Sequence, residues 1–155
     1  MATGKLRASH YLVRGKTNVI KPHNPDTMRT IPEPFASIYS HAVETQFNGY
    51  RQLFISGQIG VASFGETSIT FRGQFAQALK NVETILSSAD MDVQDIVKVT
   101  YYLTRKQDLD ELVQMRTELW HGVRPAVTVV IVAGLADEAW FVEVDVTAQK
   151  QLPVI

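Results

Sequence analysis

Between residues 127 and 133 the chain reads Val-Thr-Val-Val-Ile-Val-Ala, β-branched and apolar at nearly every position. Branched side chains fit a pleated surface and crowd a helical turn, so this stretch is a strand. Side chains alternate across a strand, and here both sets are apolar: Val127, Val129 and Ile131 on one side, Val130 and Val132 on the other. Such a strand needs cover on both faces. The rest of the chain must therefore supply a helical layer for one face and leave something apolar to meet the other.

The helices are legible. From Ser68 to about Ala89, Phe71, Phe75, Ala78, Leu79, Val82, Ile85, Leu86 and Ala89 recur at spacings of three and four, which predicts an amphipathic helix. Asp108 with Glu111 three residues on is a capping-box variant, and Leu112, Met115 and Leu119 carry a second helix to Trp120 and Gly122. Between them Ile96–Leu103 reads as a strand, with Val97, Val99, Tyr101 and Leu103 on one face. Ala42–Thr45 and Gln52–Ser56 flank Asn48-Gly49, a hairpin dipeptide. Trp140–Ala148 is a last strand, and the short link 134–139 predicts that it folds back on 127–133 as an antiparallel hairpin.

The order β-β-α-β-α-β-β predicts an α+β domain, a mixed sheet with two helices on one face. Two helices on one side cannot cover the second face of 127–133, and another subunit is the simplest cover, which makes clefts between subunits the expected ligand sites. Residues 1–36 hold four of the six prolines (Pro22, Pro25, Pro32, Pro34) and read as an extension, with a short strand at His10–Arg14. Residues 37–150 form the domain.

Lys plus Arg (15) and Asp plus Glu (16) nearly cancel, giving a net charge of -1, so nothing favours wrapping nucleic acid or lying on an anionic membrane. No apolar run spans a bilayer, and residues 1–10 lack the apolar core of a secretory signal. With no cysteine, disulfides, thiolate metal sites and thiol nucleophiles are all excluded, and a cytoplasmic location is expected. The histidines (His10, His23, His41, His121) are too dispersed for a zinc site, so no metal is expected, and without a glycine-rich phosphate loop neither is a nucleotide cofactor.

Glu143 and Asp145 share a face of the last strand. A carboxyl group held partly out of water suits a general acid or base that positions water. Patterning alone favours solvation of both, and the neighbouring apolar strand counts against that. His41 could shuttle protons, although a single histidine beside a strand is more often packing. Gly57, at a strand end, permits close approach of another group. Trp120 and Trp140 could serve as ligand platforms, although large aromatics at element ends are more often core or interface, and Lys98, Arg105 and Lys106 read as a solvated rim.

The stretches "IYSHAVET", "LFISGQIG", "QFAQALKNVETILSSADMDVQDIVKVTYYLT", "RPAVTVVIVAGL" and "FVEVDVTA", in this order and spacing, resemble the RidA/YjgF family of reactive-intermediate (enamine/imine) deaminases, also labelled translation inhibitors or endoribonucleases. The match covers about residues 36–149. The resemblance implies a chorismate-mutase-like (YjgF-type) domain assembled as a homotrimer, with pockets between subunits. It also implies cofactor-free hydrolysis of enamine or imine intermediates to a 2-oxo acid and ammonia. Glu143 matches the family glutamate that positions water, Tyr39 the pocket-edge tyrosine, Gly57 the glycine of "SGQ", and Thr128 the hydroxyl residue that follows the substrate-binding arginine.

That arginine is absent. Where the family's deaminating pattern is Pro-Ala-Arg-Ser/Thr, this chain has Pro125-Ala126-Val127-Thr128, and Val113 stands where the second helix usually offers asparagine. A bidentate arginine–carboxylate contact contributes roughly 1.5–3 kcal/mol. Arg124 is aimed elsewhere by strand alternation and Pro125. Arg116 could reach the cleft from the second helix, although a solvated helix arginine is the commoner case.

Two functions remain open. The first is a divergent small-molecule hydrolase, deaminase-like, acting through Glu143 on a substrate not anchored by the usual carboxylate–arginine contact. The second is a non-catalytic trimer that binds a metabolite or protein partner on the same scaffold. Glu143 and Tyr39 favour the first, whereas Val113 and Val127 favour the second. Endoribonuclease action is disfavoured by the charge balance and by the lack of a basic, aromatic stripe.

Overall fold

The computed structural model describes residues 20–153, so the strand read at 10–14 lies outside the described residues. Its elements are β1 (Ile20–His23), β2 (Ala42–Phe47), β3 (Tyr50–Ile59), α1 (Phe71–Ser88), β4 (Ile96–Leu103), α2 (Leu109–Leu119), β5 (Ala126–Ile131) and β6 (Val142–Gln151). Asn48 and Gly49 take φ of 48° and 82°, the left-handed pair that a tight hairpin needs, and Phe47 pairs directly with Tyr50.

In α1, Thr70 caps the first turn by accepting from the Gly73 N–H at 3.1 Å. The apolar stripe from Phe71 to Leu86 is buried against the sheet. Phe75, fully buried, stacks on Phe71 at 5.6 Å and meets Tyr101 edge-on at 5.7 Å. On β6 the two-residue period holds: Val142, Val144, Val146 and Ala148 are buried under the helices, and Glu143, Asp145 and Thr147 take the opposite face.

The six strands run in the order β1-β2-β3-β6-β4-β5. β6 pairs antiparallel with both β3 and β4, whereas β5 pairs parallel with β4. The hairpin expected between the last two strands is therefore not formed. β4, α2 and β5 make a crossover unit, the connection that parallel neighbours require. β5 ends earlier and β6 begins later than the apolar pattern suggested, and residues 132–141 pass across the end of β4. There Leu103 O accepts from Val132 N at 2.8 Å, and Thr104 N donates to Phe141 O at 3.1 Å.

Three further expectations are corrected. Val97 is exposed, because the β4–β6 register shifts between Ile96 and Lys98 and hands the core position to Ile96. Asp108 makes no cap to α2; its carboxylate takes Arg105 Nε at 2.7 Å, and Glu111 pairs with Arg72. Residues 20–36, read as extension, contribute to the fold. β1 pairs with β2, and Met28 enters the core. The buried His23 lies 3.0 Å from Glu44 Oε2 through Nε2 and 3.2 Å from Ser88 Oγ through Nδ1, tying β1 to β2 and α1.

Gln74, almost fully buried on α1, joins two loops to the helix. Its Nε2 donates to Ser68 O and Ala139 O, both at 2.8 Å, and its Oε1 accepts from Phe141 N at 2.8 Å. Leaving such buried groups unpaired costs roughly 1–3 kcal/mol each. Gln74 thus holds the entry to β6 in place. Among the described residues no helix is long and apolar enough to cross a membrane. The edge strand β5 is exposed along its length, with Val127 51%, Val129 39%, Val130 37% and Ile131 46% accessible.

Candidate functional site

Where β3 ends and β6 begins, the β3–β6 register jumps from Ile55 opposite Val146 to Gln58 opposite Val144. Ser56 and Gly57 thus bulge against β6, and the local twist carries Gly57 onto Glu143. A methyl group at Gly57 would fall 2.6 Å from Glu143 Cδ and 2.9 Å from its Cγ. The close approach expected at this glycine is made by the side chain of Glu143.

Glu143 borders a cavity of about 420 Å³ together with Tyr39, His41, Gly57 and Trp140. The segment Met28–Pro32 and Phe35 also line it. Burial pushes the Glu143 carboxyl above its ordinary range, and the neighbouring Asp145 adds to the rise. Burial also raises Asp145, while Lys98 draws it back. A carboxyl group whose proton is held more tightly than in water is the better suited to exchange a proton with a bound molecule.

The Tyr39–His41 segment is held at several points. Ser56 Oγ donates to Ser40 O at 2.7 Å, Ser56 N to His41 O at 2.9 Å, and His41 N to Asn24 Oδ1 at 2.8 Å. His41 Nε2 lies 2.8 Å from Arg29 O. A carbonyl only accepts, so Nε2 is the donor in this contact.

The structure brings Tyr39, Gly57 and Glu143 to one cavity within a single chain, and His41 joins them. It does not bring Val113, Val127 or Thr128 there. Val127 pairs with Val99 on the helix side of β5, and Val113 is exposed on α2. Thr128 points to the other side and accepts from Lys98 Nζ. Arg116 neither reaches the cleft nor waves in solvent: it donates to Tyr101 Oη at 3.0 Å and to Trp120 O and Val123 O at 2.8 Å, closing the end of α2. Arg124 is exposed and lies apart from the cavity.

Trp120 packs in the core and donates to Glu83 Oε1 at 2.7 Å, whereas Trp140 is a cavity wall. Sequence reasoning held Trp140 open as a ligand platform but favoured packing, and it missed Arg29. Trp140 stands three residues before Glu143 at the mouth of a strand, which was a usable signal. Arg29, in a proline-rich stretch without periodicity, offered none.

The sheet order and the helical layer define an α+β domain of the chorismate-mutase-like, YjgF-type class. The family whose sequence model matches is Endoribonuclease L-PSP, over residues 30–150. A RutC family protein of Aquifex aeolicus is 38% identical over 130 residues, covering 79% of this chain and 100% of its own length. Another, from Pyrococcus horikoshii, is 30% identical over 122 residues, covering 77% and 92%. Among solved structures, the Rid family protein YyfA of Yersinia pestis, itself of unknown function, superposes with a TM-score of 0.72 at 26% identity, covering 84% of this chain and 98% of its own. The chain belongs to the RidA/YjgF family.

The raised carboxyl has a consequence for stability. The native state binds the Glu143 proton more tightly than the unfolded chain does, so its contribution to stability falls as pH rises from the ordinary carboxyl range through the raised native one. Glu143→Gln is expected to raise the thermal midpoint at neutral pH and to give no gain below the ordinary carboxyl range. Calorimetric melting at both pH values reads the difference.

Proposed function

We propose that this protein is a divergent RidA-family hydrolase of small imines or enamines, on a substrate not anchored by the usual carboxylate–arginine contact. The observation that carries the reading is the Glu143 carboxyl, turned into the cavity above Gly57 and raised by burial. An enamine takes the Glu143 proton on carbon to become an imine protonated on nitrogen, which leaves Glu143 as a carboxylate. Glu143 then accepts a proton from water as the oxygen bonds to the imine carbon. Glu143 returns that proton to nitrogen and takes the hydroxyl proton as the C–N bond breaks, so that the products are a carbonyl compound and ammonia and Glu143 ends protonated as it began. Every atom comes from substrate and water, and no cofactor enters.

The RNA-cleaving activity in the family's name fits this cavity poorly. One Arg or Lys, Arg29, stands in its lining beside Glu143, and the chain's net charge is -1. A polyanion needs several cations along its path. The non-catalytic binding reading keeps one observation in its favour, the replacement of polar anchors by Val113 and Val127.

In the same proposal the chain works as a homotrimer, and β5 and α2 of a neighbour complete the mouth of the cavity. The exposed Val127, Val129 and Ile131 on one face of the edge strand β5, Val130 on its other face and Val113 on α2 support it: apolar side chains exposed together along an edge mark an interface. Val130→Asp is expected to leave a folded chain that elutes as a monomer, read by light scattering against a wild-type trimer. A monomeric wild type contradicts the assembly.

The chemistry is tested by ammonia release from 2-aminoacrylate and 2-iminopropionate, both generated in situ. Wild type is expected to accelerate release, and Glu143→Gln to lose roughly a hundredfold to ten-thousandfold of that rate. Val127→Arg, which restores the missing cation, is expected to lower KM for 2-iminopropionate about tenfold. Saturable ligand binding with no turnover in any variant would establish the binding module instead.

A further inference from the structure

The segment Met28–Pro32, which lines the cavity together with Glu143, is held in place at its start. Met28 is buried in the core, and its N–H donates to Pro25 O at 2.9 Å. The next residue, Arg29, is fixed through its own carbonyl by His41 Nε2 at 2.8 Å, while His41 is itself bonded to Asn24. Its backbone is therefore pinned to the same short stretch that carries Tyr39.

Arg29 lines the cavity as the one Arg or Lys among the described residues that do so. Its guanidinium makes no ion pair or hydrogen bond among the described residues, and it is not in ion contact with Glu143. Other arginines of the domain are committed: Arg51 lies beside Glu44, Arg72 pairs with Glu111, Arg105 with Asp108, and Arg116 closes α2. Arg29, without an ion pair among the described residues, and Glu143 thus border one cavity of about 420 Å³ without pairing with each other. That volume holds a molecule of a few heavy atoms between them.

The geometry points to Arg29 as the anion-binding residue of this cavity, holding the carboxylate of a small substrate from the Met28–Pro32 wall while the reacting carbon faces Glu143. An anion brought beside Glu143 and Asp145 meets like charge unless a cation is already present, and a planar guanidinium with a forked set of donors fits a carboxylate. With Val127 leaving β5 without a cation, the anion is met from the opposite wall.

The inference rests on the hydrolase reading for the identity of the substrate, and binding of unreactive analogues separates the two. Pyruvate and its neutral counterpart pyruvamide are titrated calorimetrically into wild type, Arg29→Ala and Arg29→Lys, with circular dichroism to verify folding. Wild type is expected to prefer pyruvate, Arg29→Ala to lose about tenfold or more in pyruvate affinity with pyruvamide unchanged, and Arg29→Lys to recover part of it. Equal pyruvate affinity in wild type and Arg29→Ala, or no preference for pyruvate in wild type, overturns the assignment. If turnover is absent yet the Arg29-dependent preference is present, the hydrolase reading fails and the anion site stands. If Glu143→Gln abolishes turnover while Arg29→Ala binds pyruvate as wild type does, the hydrolase reading stands and the anion site fails.

Discussion

The contact on which the site depends is the one between Gly57 and Glu143. Two residues of β3, Ser56 and Gly57, are fitted into a gap in the β3–β6 register, and the missing side chain at 57 is the space into which the Glu143 side chain lies. Any larger residue at 57 displaces the whole carboxyl arm. Because β6 is a central strand, paired on both sides, the backbone that carries Glu143 is among the most constrained in the sheet. The flexible part of the arrangement is the side chain, and the bulge and the cavity wall confine it.

The same strand order explains why a carboxyl group can be kept partly out of water without an ion pair. On one side of β6 the helical layer buries Val142, Val144, Val146 and Ala148. On the other, Glu143 and Asp145 stand two residues apart, and each is raised chiefly by its own burial. Lys98 relieves Asp145 and is itself bound to Thr128, so the neutralising charge is drawn toward the β5 side and away from Glu143. The result is two carboxyls in different electrostatic settings on one strand, the condition for giving them different roles.

Much of this was legible in the chain wherever one face of an element is buried. The stripe of α1, the alternation of β6 with Glu143 and Asp145 on its polar face, and the Asn48-Gly49 turn all follow from local periodicity or backbone preference. What local pattern does not encode is adjacency. The 127–133 and 140–148 segments read as hairpin partners because they are close in sequence, yet β4 lies between β6 and β5. β1 was hidden because it has four residues, includes Pro22 and is an edge strand, the position that tolerates proline. At the site, the need for a glycine at 57 was readable, but its partner comes from a strand 86 positions later (143 − 57) and is visible only in the fold. Arg29 was silent for the same reason: its setting depends on His41 and Glu143, which folding brings to it.

The central claim is that Glu143 meets the cavity with a proton held more tightly than an ordinary carboxyl holds one. It is tested most directly by a carbon-13 NMR titration of the Glu143 side-chain carboxyl in the unliganded protein. The account predicts a midpoint above the ordinary glutamate range in wild type, moving back toward that range in Gly57→Ala, where the arm is pushed out of its recess. A wild-type midpoint at or below the ordinary range would contradict it, because Glu143 would then be a solvated carboxylate.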